Sequence, residues 1–311
     1  CIGDEAGTAI TTGDNNTFVG MTAGATVATN SDNTAVGAFA LDAGTGDNNI
    51  AVGSGALGGS SYTADNNVAI GKDAGTAITS GIRNILIGSL AGDAFTDADF
   101  NIGIGHQALT NDTLGSKSTA VGYRTLANQN FSSATDSHNT AIGNDAGLNI
   151  TTGQQNVLIG SLAGDALTDA DINVAVGYNA LGSDTLGSRS VAIGYEALQT
   201  QNFTSATSTY NTAVGGQAGK SITTGQNNTL IGGLAGDALT DADHNIAIGV
   251  SALGADTQGS KSVAIGKAAL ENQNFSSATD SHNVAVGYDA GNDITTGIEN
   301  TIVGGLAGDA L

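Results

Sequence analysis

Proline and tryptophan are absent from this 311-residue chain, and cysteine and methionine occur once each. Without proline, every residue keeps its backbone N–H, so any segment can serve as an interior strand. A single cysteine excludes an internal disulfide. Aromatics make up only 4% of residues, too few for a globular core built on large rings. Basic residues are scarce as well: Lys and Arg total 8 against 29 Asp and Glu, a net charge of −21. That balance excludes nucleic acid and anionic membrane surfaces as partners. No apolar run approaches the roughly 20 residues of a membrane span, and no secretory leader is visible.

In place of these the chain has 47 glycines and one short phrase, repeated throughout. The phrase runs Asn or Ser, a β-branched residue, usually Ala, then Val or Ile, then Gly, as in Asn33-Thr34-Ala35-Val36-Gly37 and Asn283-Val284-Ala285-Val286-Gly287. Its closing glycine recurs eighteen times, mostly at 17-residue steps, with 21-residue steps after Gly122, Gly194 and Gly266. A fixed short period sustained along a chain is the mark of a solenoid. Seventeen residues is too few for the helical repeat units, which need more than about thirty. It suits one coil of an all-β parallel β-solenoid (β-roll), and eighteen coils at roughly 4.8 Å would extend about 85 Å.

Alternation within the phrase predicts one strand per coil. The residues three and one before the glycine, Thr34 and Val36 for instance, are expected to stack as aliphatic columns in the core. The intervening Ala then faces outward, toward something that approaches closely. Three residues after the glycine stands Ala in all coils but the one with Thr125. The next position cycles Gly75, Gly92, Leu109, Leu126, then Gly147, Gly164, Leu181, Leu198, so the true unit is four coils. The super-repeats run 3–70, 71–142, 143–214 and 215–286, with a partial one at 287–311. Gly308-Asp309-Ala310-Leu311 copies 164–167 and stops within a coil, and no capping unit is present, as expected of an excerpt from a longer array.

One coil in each set replaces the usual Ala with a bulky residue: Phe18, Leu86, Leu158, Leu230 and Ile302. On the expected outward face these form an apolar row for a chain–chain interface; filling of their own coil is the competing reading. The Asn that opens most phrases is expected to stack into a hydrogen-bonded ladder. The Ile-Thr-Thr-Gly segments at 150–153, 222–225 and 294–297 are expected to be corners, with Gly supplying a positive φ.

Charges cluster in the segment Gly-Asp-Ala-Leu-Thr-Asp-Ala-Asp, at 164–171 and 236–243, with Phe95 replacing Leu at 92–99. Eighteen residues beyond its last Asp stands a base, which predicts the pairs Asp99–Lys117, Asp171–Arg189 and Asp243–Lys261 across neighbouring coils. The alternating carboxylates Asp97, Asp99, Asp169, Asp171, Asp241 and Asp243 are weak calcium candidates, since hard cations take oxygen ligands. A solvated acidic turn explains them equally, because the complete calcium-loop spacings are missing. The four histidines stand singly, no nucleophile is paired with a base, and the chain is not expected to be an enzyme or to need a cofactor.

The 21-residue coils carry a recurring insertion, 128–138, 200–210 and 272–282. Insertions in solenoids often lie on a binding face. Phe131, Phe203 and Phe275, with Asn130, Asn202 and Asn274, are therefore candidate contacts for a sugar or a protein. Against this, each Phe can instead tuck inward and seal the bulge.

At Ser190-Val191-Ala192-Ile193-Gly194 and Ser262-Val263-Ala264-Ile265-Gly266 the chain resembles the head repeats of trimeric autotransporter adhesins. The resemblance implies a left-handed parallel β-roll with three chains around an axis. It departs from that family in its longer repeat, and these residues show no neck, coiled-coil stalk or membrane barrel. Similar arrays are also found in phage tail fibres and bacterial surface fibres. The expected function is an adhesive or structural fibre segment, extracellular on a cell or virion, homotrimeric or polymeric, contacting a surface receptor. A self-assembling extracellular filament is the alternative, and an ice-binding solenoid the third reading.

Overall fold

The computed structural model describes residues 1–59 and 62–309, in two compact units, Cys1–Gln155 and Asn156–Leu311. Ala310 and Leu311, at the end of the partial repeat, lie outside the described residues. Among the described residues there is no helix. Each phrase from the second onward forms one three-residue strand, eight in the first unit from Thr17–Val19 to Thr140–Ile142 and nine in the second from Val157–Ile159 to Thr301–Val303, while the first contributes an isolated bridge from Ile2 to Val19. Within each unit successive strands pair in parallel and in register. Thr34, Ala35 and Val36 face Ile50, Ala51 and Val52, and Val68, Ala69 and Ile70 face Ile85, Leu86 and Ile87. One repeat forward in sequence is therefore one rung along the sheet, as a parallel β-solenoid requires.

Hydrogen bonds between coils continue around the corners. Gly88 N donates to Ile70 O (2.7 Å), Leu90 N to Lys72 O (3.0 Å) and Gly92 N to Ala108 O (2.9 Å). The corners are made by left-handed residues at three places in each coil. In the coil around Gly105 these are Phe100 (φ 58), Gln107 (φ 58) and Leu109 (φ 57). Each such non-glycine residue costs about 1–2 kcal/mol of backbone strain, offset by the ladder it allows to close. The closing glycine is obligatory for a separate reason. Gly88 has φ +139, and a Cβ there would lie 2.4 Å from the Gly105 carbonyl oxygen one rung on. The Ile-Thr-Thr-Gly corners differ from expectation: Gly225 and Gly297 do not have positive φ, which falls instead on Asn227 and Glu299. Gly225 is needed for space, since its Cβ would meet the Ala242 carbonyl oxygen at 2.4 Å.

The strand faces are reversed relative to the alternation argument. Ala35, Ala51, Ala69 and their counterparts are fully buried, while Val36 is 37% and Ile50 40% exposed. The coil interior is narrow, so the small residue points in and the β-branched residues point out. Phe18, Leu86, Leu158 and Leu230 are fully buried and Ile302 nearly so. They fill their own coils and cannot form a chain–chain interface. Their period has a packing cause. A Cβ on Gly75 would sit 3.0 Å from Leu86 Cδ1, and one on Gly92 2.8 Å from Leu86 Cδ2. The bulky strand residue thus fills the space left by a glycine in its own coil and in the coil before it. In the two coils that follow, whose strands carry Gly103 and Ala120, the same corner carries Leu109 and Leu126, both fully buried.

The expected Asn ladder is present. Asn49 N donates to Asn33 Oδ1 (2.9 Å), Asn67 N to Asn49 Oδ1 (2.9 Å), Asn84 N to Asn67 Oδ1 (2.8 Å) and Asn101 N to Asn84 Oδ1 (2.9 Å). Each amide also closes its neighbouring corner, as Asn84 Nδ2 does on Ala98 O (2.7 Å). All these side chains are buried, so every polar atom in the column must be matched, and the repeat of one residue type does that.

Candidate contact surfaces

The outward faces of the strands form two columns of Thr, Val and Ile on a parallel sheet. In the second unit one column reads Ile159, Val176, Ile193, Val214, Ile231, Ile248, Ile265, Val286 and Val303. Ile159, Ile193 and Ile231 are 37–38% exposed. Nine rungs at about 4.8 Å and a strand width of about 10 Å give an apolar face of about 400 Å². That lies within the range of the largest patch on a typical monomer, often a functional one.

The long coils are built differently from expectation. Phe131, Phe203 and Phe275 are only 4–6% exposed and seal the insertion from inside, so they are not available to a ligand. The carbonyl oxygens of Asn130, Asn202 and Asn274, which are exposed, accept hydrogen bonds from Thr113, Thr185 and Thr257 of the preceding coil (2.9, 3.0 and 3.1 Å). They hold the loop down. What projects is the tip, Ser132, Ser133 and Ala134, followed by a two-residue strand, Thr135–Asp136, paired with Gly115–Ser116.

Beneath each insertion lies a buried network that the sequence reading missed. Asp112 is fully buried, its Oδ1 accepting from Gly115 N (2.9 Å) and its Oδ2 from Gln129 Nε2 (2.6 Å). Gln129 Nε2 also donates to Ser118 Oγ (2.9 Å), and Asn139 Nδ2 donates to Gln129 Oε1 (2.8 Å). Gln129 thereby bridges the ladder across the coil where the spacing lengthens. The same set recurs with Asp184, Gln201, Ser190 and Asn211, and with Asp256, Gln273, Ser262 and Asn283. Burial raises the Asp112 carboxyl above the usual carboxylate range, against the lowering effect of these donors. The available signal was the 72-residue recurrence of Asp and Gln at these positions.

The predicted pairs are neighbours through backbone, and Lys117 and Lys261 place their ammonium groups on other carboxylates. Lys117 N, Arg189 N and Lys261 N donate to Asp99 O, Asp171 O and Asp243 O, each at 3.0 Å. The charged groups turn the other way along the solenoid. Lys117 pairs with Asp136 and Lys261 with Asp280, while Arg189 Nη1 donates to Tyr210 Oη (2.8 Å). Asp99 and Asp243 use an oxygen on the backbone N–H of Ile82 and Gln226 (2.7 Å each). Asp97 accepts from Ser80 and Asp241 from Thr224 (2.7 and 2.6 Å). Among the described residues no three His, Cys, Asp or Glu side chains converge as metal ligands.

No helix among the described residues is long and apolar enough to cross a membrane. Compared with known families and with curated proteins, the chain matches none.

Proposed function

We propose that the chain is a segment of an extracellular fibre, on a cell surface or a virion, whose copies pack side by side through the Val/Ile/Thr sheet face into a homotrimer. The observation that carries this reading is the unbroken outward aliphatic column on every rung. Exposed β-branched residues in register over nine rungs are costly in water at about 25 cal/mol per Å² and gain by meeting the same surface on another copy. The resemblance to trimeric adhesin heads, tail fibres and surface fibres points the same way. Receptor contact through the insertion phenylalanines is no part of this reading, since those rings are internal. Contact through the projecting loop tips at 132–134, 204–206 and 276–278 replaces it.

Mass photometry of the purified chain tests the proposal. Three chains per particle are expected. Long polymers would favour the end-to-end filament instead. A monomer that produces thermal hysteresis in ice growth would favour ice binding by the same face, and would overturn the trimer.

A further inference from the structure

One residue beyond the closing glycine, a further column of side chains runs along the solenoid. In the second unit it reads Tyr178, Tyr195, Gly216, Gly233, Val250. The rings of Tyr178 and Tyr195 stack nearly parallel, 13° apart in plane with centroids 5.8 Å apart, and both residues are about half exposed. Because Tyr178 covers one face of the Tyr195 ring, the other face turns toward the next rung. There Gly216 has nothing within 4 Å of where a Cβ would stand, and Gly233 has only a backbone oxygen at 3.9 Å. The next side chain in the column is Val250, itself half exposed. Three rungs at about 4.8 Å separate Tyr195 from Val250, and subtracting van der Waals thickness leaves a slot about 10 Å long. Its floor is glycine backbone.

One face of the aromatic wall is already covered by Tyr178 before any ligand arrives. The Glu196 carboxylate beside it raises the Tyr195 hydroxyl above its ordinary pKa. Glu196 Oε2 accepts from Lys220 Nζ (2.7 Å) and Gln217 Nε2 (3.0 Å). A ring already stacked on its neighbour spares a ligand part of the entropy of ordering it. The equivalent stack in the first unit, His106 on Tyr123 at 5.7 Å, is followed by Asn144 rather than glycine.

We propose that the Tyr195–Gly216–Gly233 slot binds a neutral hexopyranose unit of a glycan, stacked on the free face of Tyr195. A pyranose has one face of C–H groups for the ring and a rim of hydroxyls for the carboxylate, amide and ammonium of Glu196, Gln217 and Lys220. A wholly apolar occupant would strip water from that charged rim with nothing in return. An anionic sugar or nucleotide would meet a chain of net charge −21.

Saturation-transfer NMR on the full chain tests this with methyl β-galactopyranoside, methyl α-glucopyranoside and methyl α-mannopyranoside as probes. Transfer to the ring C–H protons of at least one probe is expected. Tyr195→Ala and Gly216→Leu should each weaken it at least tenfold, while Tyr195→Phe keeps most of it. Both sites are exposed and Gly216 faces open space, so circular dichroism should be unchanged. Absence of transfer from all three probes, or transfer unaffected by both substitutions, overturns the proposal. So does a change in particle mass on Gly216→Leu without any sugar signal, which would make the slot a contact between copies. The fibre reading is judged separately, by the number of chains in the unsubstituted protein.

Discussion

At the scale of the residue, two glycines in the same chain have opposite meanings. Gly88→Ala places a Cβ 2.4 Å from a backbone oxygen at φ +139, where nothing flexible can yield. We expect a loss of about 2–3 kcal/mol or more, seen as a lower guanidinium midpoint. Gly216→Ala meets nothing within 4 Å and should stay within about 0.5 kcal/mol of the parent in the same titration. The buried amides are as constrained as the closing glycine. Asn84→Ala removes the acceptor of Asn101 N and the donor to Ala98 O at once. Each orphaned group costs about 1–3 kcal/mol, and hydrogen exchange at Asn101 N should accelerate before exchange in distant rungs.

At the scale of the coil, packing follows the exchange of volume between strand and corner. Leu86 fills the space beside Gly75 and Gly92, and Leu86→Ala should cost about 2–5 kcal/mol by opening a cavity. A thermal melt that is unchanged would show that the coil collapses to close it. The buried carboxylates set the response to pH. Burial raises Asp42, Asp93, Asp112 and Asp237 above the ordinary carboxylate value, so folding favours their protonated forms. Their contribution to stability is complete below the unfolded value near 3.8 and is lost as pH rises through the raised folded values. Glu196, held at about 2 by Lys220 and Gln217, and Asp280, lowered by Lys261, act in the opposite sense and lose their contribution as pH falls. Calorimetry should therefore show a stability difference between pH 8 and pH values near 3.8 in which the raised carboxylates favour the acid side and Glu196 and Asp280 oppose them. Asp112→Asn should reduce that difference, since the amide carries no charge to bury.

At the scale of the whole molecule, a −21 charge and an apolar sheet face oppose each other. In the proposed trimer, side-by-side association would bring like charges together, while burial of the Val and Ile columns would favour it. Raising salt from low to physiological ionic strength shortens the Debye length to about 8 Å and should strengthen association. Weakening by salt would show that ion pairs, and not the aliphatic face, hold the copies. Ile193→Glu with Ile231→Glu, both on that face and partly exposed, should abolish association while leaving the circular dichroism of the coil intact.

Much of this architecture is legible in one dimension. The 17-residue spacing, the register of the strands, the four-coil period and the Asn ladder all follow from which residues recur and how far apart. Recurrence is a sequence property, and a parallel solenoid converts it directly into contact between neighbouring rungs. Alternation, however, tells only which residues share a face. Whether Ala35 or Val36 points inward depends on the width of the coil, which is set by three left-handed corners and by the glycine carbonyl stacked above each closing glycine. Hydrophobicity alone favoured Val36. The narrow interior admits only the smaller side chain beside Leu41 or Leu57, and so the columns read as core became the outer surface. The direction of the insertion phenylalanines, left open between two readings, and the Asp112–Gln129 bridge were decided in the same way: closure in three dimensions sets which side chains meet inside a coil, and local composition does not record it.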